Sequence, residues 1–92
     1  GALEQHPDVV DVAVFGIPSE EWGEMVHAEV VQRRGATLSA DALMAYAREH
    51  LAGYKVPRSI KFIAEIPRTG TGKILKRELR KPYWEGRASR VG

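Results

Sequence analysis

Three stretches of this chain alternate in polarity with a period of two, and they limit what it can fold into. Val9 to Phe15 is a β-branched run that sets Val10, Val12 and Val14 on one face, and Gly16-Ile17-Pro18 ends it. Met25 to Gln32 sets Val26, Ala28 and Val30 on one face, and Ser59 to Ile66 does the same with Ile60, Phe62, Ala64 and Ile66. Such alternation is the mark of a half-buried strand. A helix packed against the apolar face adds to the stability of so small a sheet. The segment between the second and third runs supplies one. Ser39 suits an N-cap, Asp41 suits the positive helix end, and Leu38 and Leu43 have the spacing of a hydrophobic staple. Leu43, Tyr46, Ala47, His50 and Leu51 form a stripe of period 3.6, and Gly53 is expected to close the helix as a C′ residue.

Around these elements the chain is punctuated. Ala2 to His6 reads as the last turns of a helix stopped by Pro7, and residues 18–24 form a polar loop around Trp22. Arg33 to Thr37 turns at Gly35. Pro67 cannot continue a ladder and opens a loop. Ile74 to Lys81 has a helical pattern that Pro82 is expected to stop, and residues 86–92 read as loose. The expected order is (α)ββαβα. It is an α+β fold with a three-stranded, mostly antiparallel sheet packed with helices. Residues 1–92 are read as a single domain, with 1–81 as the ordered core and 82–92 as a tail.

Ninety-two residues bury only a modest core, so the domain is expected to lean on a neighbour, and its helical opening suggests a piece of a longer chain. With 43% hydrophobic and 28% charged residues the composition is that of a globular chain, so disorder is not expected. There is no cysteine, which excludes disulfides and thiolate metal sites and suits a cytoplasmic protein. No apolar run is long enough to span a membrane and no signal peptide is visible; peripheral membrane contact stays open. His6, His27 and His50 show no ligand spacing and no carboxylate partner, so no metal site and no catalytic histidine are assigned. His50, on the helix stripe, is expected to be structural.

The charge is divided along the chain. Residues 1–50 hold three Arg against nine Asp and Glu, a net of −6, and residues 51–92 hold eleven Lys and Arg against three Glu, a net of +8. A basic back half suits an anionic ligand, and equally a solvated mixed surface. Its centre is Pro67-Arg68-Thr69-Gly70-Thr71-Gly72-Lys73. Gly70 and Gly72 allow close backbone approach, Thr69 and Thr71 offer hydroxyls, and Lys73 is a compact cation for a phosphate or carboxylate. A nucleotide-hydrolase P-loop is excluded. That motif needs glycine at position 67, which is proline, and Ser or Thr at position 74, which is isoleucine.

The run Pro67-Arg68-Thr69-x-x-Gly72-Lys73-Ile74-x-Lys76-Arg77-x-Leu79-Arg80 resembles the signature closing the small C-terminal domain of adenylate-forming (AMP-binding) enzymes, the acyl-CoA synthetase superfamily. Leu3-Glu4-Gln5-His6-Pro7 with Val12-Ala13-Val14, Pro18-x-x-x-Trp22-Gly23-Glu24 and Tyr54-Lys55-Val56-Pro57 agree with it, in order, over nearly the whole chain. The variant resembles fatty- and aryl-acyl-CoA ligases more than peptide-synthetase domains. The resemblance implies a mobile lid domain in fatty acid metabolism, inactive alone, whose large N-terminal partner domain in the same chain binds ATP, Mg2+ and the acyl group. It implies that Lys73 is the catalytic lysine of adenylation, carried on Thr69, Gly70, Thr71 and Gly72. It implies that Trp22, Tyr54 and Arg58 contact CoA; Val56 stands where some relatives carry a second basic residue. Trp22 equally fits a half-buried packing residue, and Tyr54 a cap on the helix before it. ATP, CoA and an acyl-adenylate are the implied substrates and partners, no nucleic acid is expected, and the isolated domain is expected to hold no cofactor.

Two other classes fit the charge pattern: a free-standing basic module for nucleotides or nucleic acid, and an interaction domain docking through its acidic front half. No RNA-binding fingerprint accompanies the basic residues. Salt-sensitive retention on nucleic acid with a defined site size would mark the first of these.

Overall fold

A computed structural model describes residues 3–85 of the protein. Its elements are a single 3₁₀ turn at Leu3–Gln5, β1 (Val9–Ser19), β2 (Gly23–Gln32), α1 (Ala40–His50), a second 3₁₀ turn at Gly53–Lys55, β3 (Ser59–Phe62) and α2 (Lys76–Trp84). The α+β architecture agrees with the sequence pattern. The sheet order is β1-β2-β3, with β2 central. β1 and β2 form a long antiparallel hairpin, from Val9↔Gln32 to Ser19↔Gly23. β3 lies parallel to β2, from His27↔Ser59 to Val30↔Phe62. The sheet is therefore mixed, with its longer ladder antiparallel. The reason is the connection: the chain leaves β2 at one end, runs back along the sheet through α1 and enters β3 at the end where β2 began, a crossover that a tight turn cannot make.

Both faces of the sheet are covered. Val9, Val12, Ala28 and Val30 pack with Leu3, Leu43 and Ala47 under α1, joined by Ile60 and Phe62 of β3. Ala13, Phe15 and Ile17 pack on the opposite face with Ile66, and Leu79 and Tyr83 of α2 cover them. A doubly covered strand reads as a near-continuous apolar run, as β1 does. One β-bulge between Val9 and Asp11 shifts its alternation. The bulge turns Val10 out to 64% exposure and brings Val9 into the core, so Val10 does not share the buried face with Val12.

Three local expectations change. β3 stops at Phe62; Ile63 still donates to the Val30 carbonyl, at 2.9 Å, and the chain then crosses so that Ile66 packs under α2 instead of under α1. Gly53 does not close α1, because Leu51 caps the helix in an extended conformation and Gly53 opens the following 3₁₀ turn. Pro82 lies inside α2, which continues to Trp84. It lies within the last turn, where little helix remains for the missing N–H to disturb. Helix α2 thus takes in part of the expected tail; residues 86–92 and the Ala2 end of the opening helix lie outside the described residues.

Ser39 caps α1 as expected, its hydroxyl accepting from the Ala42 N–H at 3.0 Å. No helix among the described residues is long and apolar enough to cross a membrane. Leu43 is fully buried at the centre of the α1 face. Leu43→Ala is expected to lower unfolding free energy by about 2–5 kcal/mol, read as a fall in the urea midpoint at unchanged slope.

Candidate functional site

The lysine loop is a closed hairpin. Arg68 and Ile74 form an antiparallel bridge, and the Leu75 N–H reaches the Pro67 carbonyl at 2.9 Å. Inside it, the Thr69 N–H donates to the Lys73 carbonyl at 2.8 Å and the Gly72 N–H to the Thr69 carbonyl at 2.9 Å. The Thr69 hydroxyl accepts from the Lys73 N–H at 3.1 Å and shares a 2.9 Å hydrogen bond with the Thr71 hydroxyl. Gly72 has φ 90, in the left-handed region, so glycine is needed there for the turn. Gly70 has no such conformation. The two glycines therefore differ: Gly72 is required by the turn, whereas a side chain at Gly70 would meet open space. Lys73 stands exposed on the return limb.

Arg68, which the sequence reading left without a role, fixes this hairpin to the sheet. Its Nη2 donates to both carboxylate oxygens of Asp11, at 2.7 and 2.8 Å, and its Nη1 donates to the Gly72 carbonyl at 2.6 Å. One guanidinium thus ties the left-handed turn to the start of β1. Nothing in local spacing links Asp11 to Arg68, fifty-seven residues apart.

Trp22, Tyr54 and Arg58 come together at the other end of the ribbon. Trp22 follows β1 in the hairpin turn and is 53% exposed, and Tyr54 on the second 3₁₀ turn is 79% exposed. Trp22 is about half-buried, whereas Tyr54 is largely exposed. The Arg58 guanidinium lies 4.6 Å from the Trp22 ring centroid, and the Lys55 ammonium 5.7 Å from that of Tyr54. These are cation–π distances. The three side chains line one groove of about 180 Å³, with Val56 in its wall. Arg58 also borders an adjoining cavity of about 340 Å³ with Arg48 of α1. Arg48 escaped the sequence reading because it comes from a helix ten residues away. It supplies a second cation beside Val56, where the chain itself carries an apolar residue. An exposed aromatic pair with Arg58 over the Trp22 ring, and Arg48 in the adjoining cavity, suits a stacked base and its phosphates.

The two sites are far apart. Asp11, which holds the lysine hairpin, and Ser19, which opens the Trp22 turn, are eight residues apart on β1, about 26 Å at the strand rise.

Beneath α2 lies a polar cluster absent from the sequence reading. His27 and Glu29 are buried at 3% and 4% exposure on the α2 face of β2. His27 Nε2 meets Glu29 Oε2 at 2.9 Å, and His27 Nδ1 shares a 2.6 Å hydrogen bond with the Ser59 hydroxyl of β3. The Tyr83 phenol of α2 donates to the same Glu29 oxygen and lies 3.2 Å from His27 Nε2. His27 thus has a carboxylate partner after all, two residues on, where strand pleat puts both side chains on one face. The other histidines are structural: His6 Nδ1 accepts from the Asp8 N–H, and His50 stacks on Tyr46 and donates to its carbonyl. Among the described residues no group of acids and histidines is gathered to hold a metal ion.

Burial, the hydrogen bond to Glu29 and the charge of Glu29 together push the Tyr83 phenol from 10.0 up to about 12. A raised pKa favours the protonated phenol in the folded state. Its contribution to stability is therefore complete below pH 10 and is lost as pH rises through about 12. Unfolding measured across that window should show the loss in the native protein and not in Tyr83→Phe.

Comparison with known proteins places the chain among ligases that act on carboxylic acids. A feruloyl-CoA synthase of Amycolatopsis is 46% identical over 81 residues, covering 88% of this chain and 16% of that protein. A fatty acid–acyl-carrier-protein ligase of Streptomyces coeruleorubidus is 44% identical over 89 residues, covering 97% and 17%. The solved Mycobacterium tuberculosis fatty acyl CoA synthetase superposes with a TM-score of 0.82 at 40% identity, over 92% of this chain and 17% of that one. The fold is that of the small C-terminal domain of adenylate-forming enzymes. Residues 1–73 match the AMP-binding enzyme C-terminal domain, and the chain belongs to that family. It spans about a sixth of the length of these relatives.

Proposed function

We propose that this chain is the mobile C-terminal domain of an ATP-dependent acyl-CoA ligase and supplies a cation to one half-reaction and a nucleotide grip to the other. The observation that carries this reading is the placement of Lys73 and the Trp22–Tyr54–Arg58 groove at opposite ends of one rigid ribbon. A single domain with two such ends serves two steps by presenting each in turn.

In the first step a carboxylate oxygen attacks the α-phosphorus of ATP, the bond to pyrophosphate breaks, and an acyl-adenylate forms. Two anions must approach each other. The Lys73 ammonium, held on its braced turn, offsets that repulsion and stabilises charge gathering on the phosphorus oxygens. ATP, its Mg2+ and the acyl group belong to a large N-terminal domain of the same chain, so the small domain alone is inactive. In the second step the CoA thiol attacks the acyl carbon and AMP leaves. Trp22 and Tyr54 stack the CoA base, while Arg58 and Arg48 meet its phosphates. Thr69 and Gly72 hold the turn, Thr71 braces Thr69, and Gly70 leaves the tip unobstructed.

Lys73→Ala in the full-length enzyme is expected to slow adenylation about a hundredfold or more, measured as acid-dependent ATP–pyrophosphate exchange. Thioester formation from supplied acyl-adenylate should keep its rate, and equal losses in both steps would refute the assignment. Arg58→Ala and Arg48→Ala should each raise KM for CoA about tenfold, the worth of one charge-assisted contact. Pyrophosphate exchange should not change in either variant.

A further inference from the structure

Helix α2 follows the lysine hairpin directly and holds little of its own weight by burial. It has nine residues, and none of them is fully buried. Leu79 and Tyr83 pack on the cluster of Phe15, Ile17 and Ile66. Apolar contact of this kind is non-directional and permits a short helix to slide or rotate. What fixes α2 is directional. The Tyr83 phenol donates to Glu29, which is held by His27, which is held by Ser59, so the bonds run from α2 through β2 to β3. Beside it the Trp84 indole N–H donates to the Gly16 carbonyl on β1, at 3.0 Å.

The lysine turn sits between two such fixings. On its entry side Arg68 binds Asp11 and the Gly72 carbonyl. On its exit side Leu75 joins the turn to α2, bonding back to the Pro67 carbonyl. A shift of α2 therefore displaces the return limb on which Lys73 stands. Burying a carboxylate and an imidazole under a helix is not the cheapest way to hold it, since well-packed apolar groups of similar volume often do as well or better. Direction is what the polar cluster adds.

We infer that the Tyr83–Glu29–His27–Ser59 cluster is a positioning device for Lys73, fixing α2 so that the ammonium is held where the adenylation step requires it. The inference rests on the proposed role of Lys73, and the cluster itself touches no substrate. Its α2 member, Tyr83, lies beyond residue 73, where the family match ends.

The test uses the full-length enzyme, with both half-reactions measured separately. Tyr83→Phe keeps the ring in the apolar cluster and removes only the donor. It is expected to lower kcat for ATP–pyrophosphate exchange about ten- to a hundredfold, the effect of a misplaced catalytic group. KM for ATP and the rate of thioester formation from supplied acyl-adenylate should hold. In a Lys73→Ala background the same substitution should cause no further loss, because the cluster acts through that lysine. Wild-type exchange by Tyr83→Phe, an equal fall in both half-reactions, or a further loss in the Lys73→Ala background would overturn the inference. Wild-type exchange by Lys73→Ala alone would instead sink the proposed function. If Tyr83→Phe is too unstable to assay, Glu29 decides. Glu29→Gln, which keeps an acceptor, should retain exchange and Glu29→Leu should lose it with thioester formation intact; equal exchange in the two would overturn the inference.

Discussion

The antiparallel ladder between β1 and β2 carries everything else in this domain. Its register places Val12, Ala28 and Val30 toward α1 and Ala13, Phe15 and His27 toward α2. A slip of one residue would exchange those two sets and put His27 and Glu29 among the aliphatic side chains under α1. The same ladder sets the distance between the two sites, since the lysine hairpin is bolted to one end through Asp11 and Trp22 stands in the turn at the other. A ladder covered on both faces holds its two ends at a fixed separation.

The two sites are built on different physics. The groove around Trp22 is open: exposed rings and cations on long stems. The lysine end is closed by hydrogen bonds on both sides of the turn, from Arg68 before it and from Tyr83 and Trp84 after it. A cation that must stabilise a developing charge gains from being fixed before the reaction begins, because reorganisation then costs nothing at the transition state. Loose tethering by flexible glycines would forfeit that gain. The hairpin around Gly72 avoids it.

Much of the fold was legible because it depends on local pattern. The Ser39 cap, the Leu43–Ala47 stripe and the alternation of β2 all report directly on neighbours within one element. What misled was also local. Val10 looked like a core residue until a bulge, invisible in alternation, turned it outward. Residues 59–66 alternated throughout, yet the chain crosses faces after Phe62. Pro82 read as a stop, although near a helix end it costs little.

The sequence by itself determined where the main strands and helices lie, the lysine and its glycine turn, and a basic back half suited to an anion; the pairing of Trp22 and Tyr54 with a base came from family resemblance. Strands, helix and turn follow from short-range spacing, which a linear pattern contains. Only the tertiary structure decided that β3 lies parallel to β2, that Arg48 and Arg58 border one cavity, that Arg68 binds Asp11, and that Tyr83 closes on Glu29 and His27. Those pairings join residues between ten and fifty-seven positions apart. They exist because packing apolar faces on both sides of the ribbon brings distant polar groups together, and buried polar groups then need the partners they meet there.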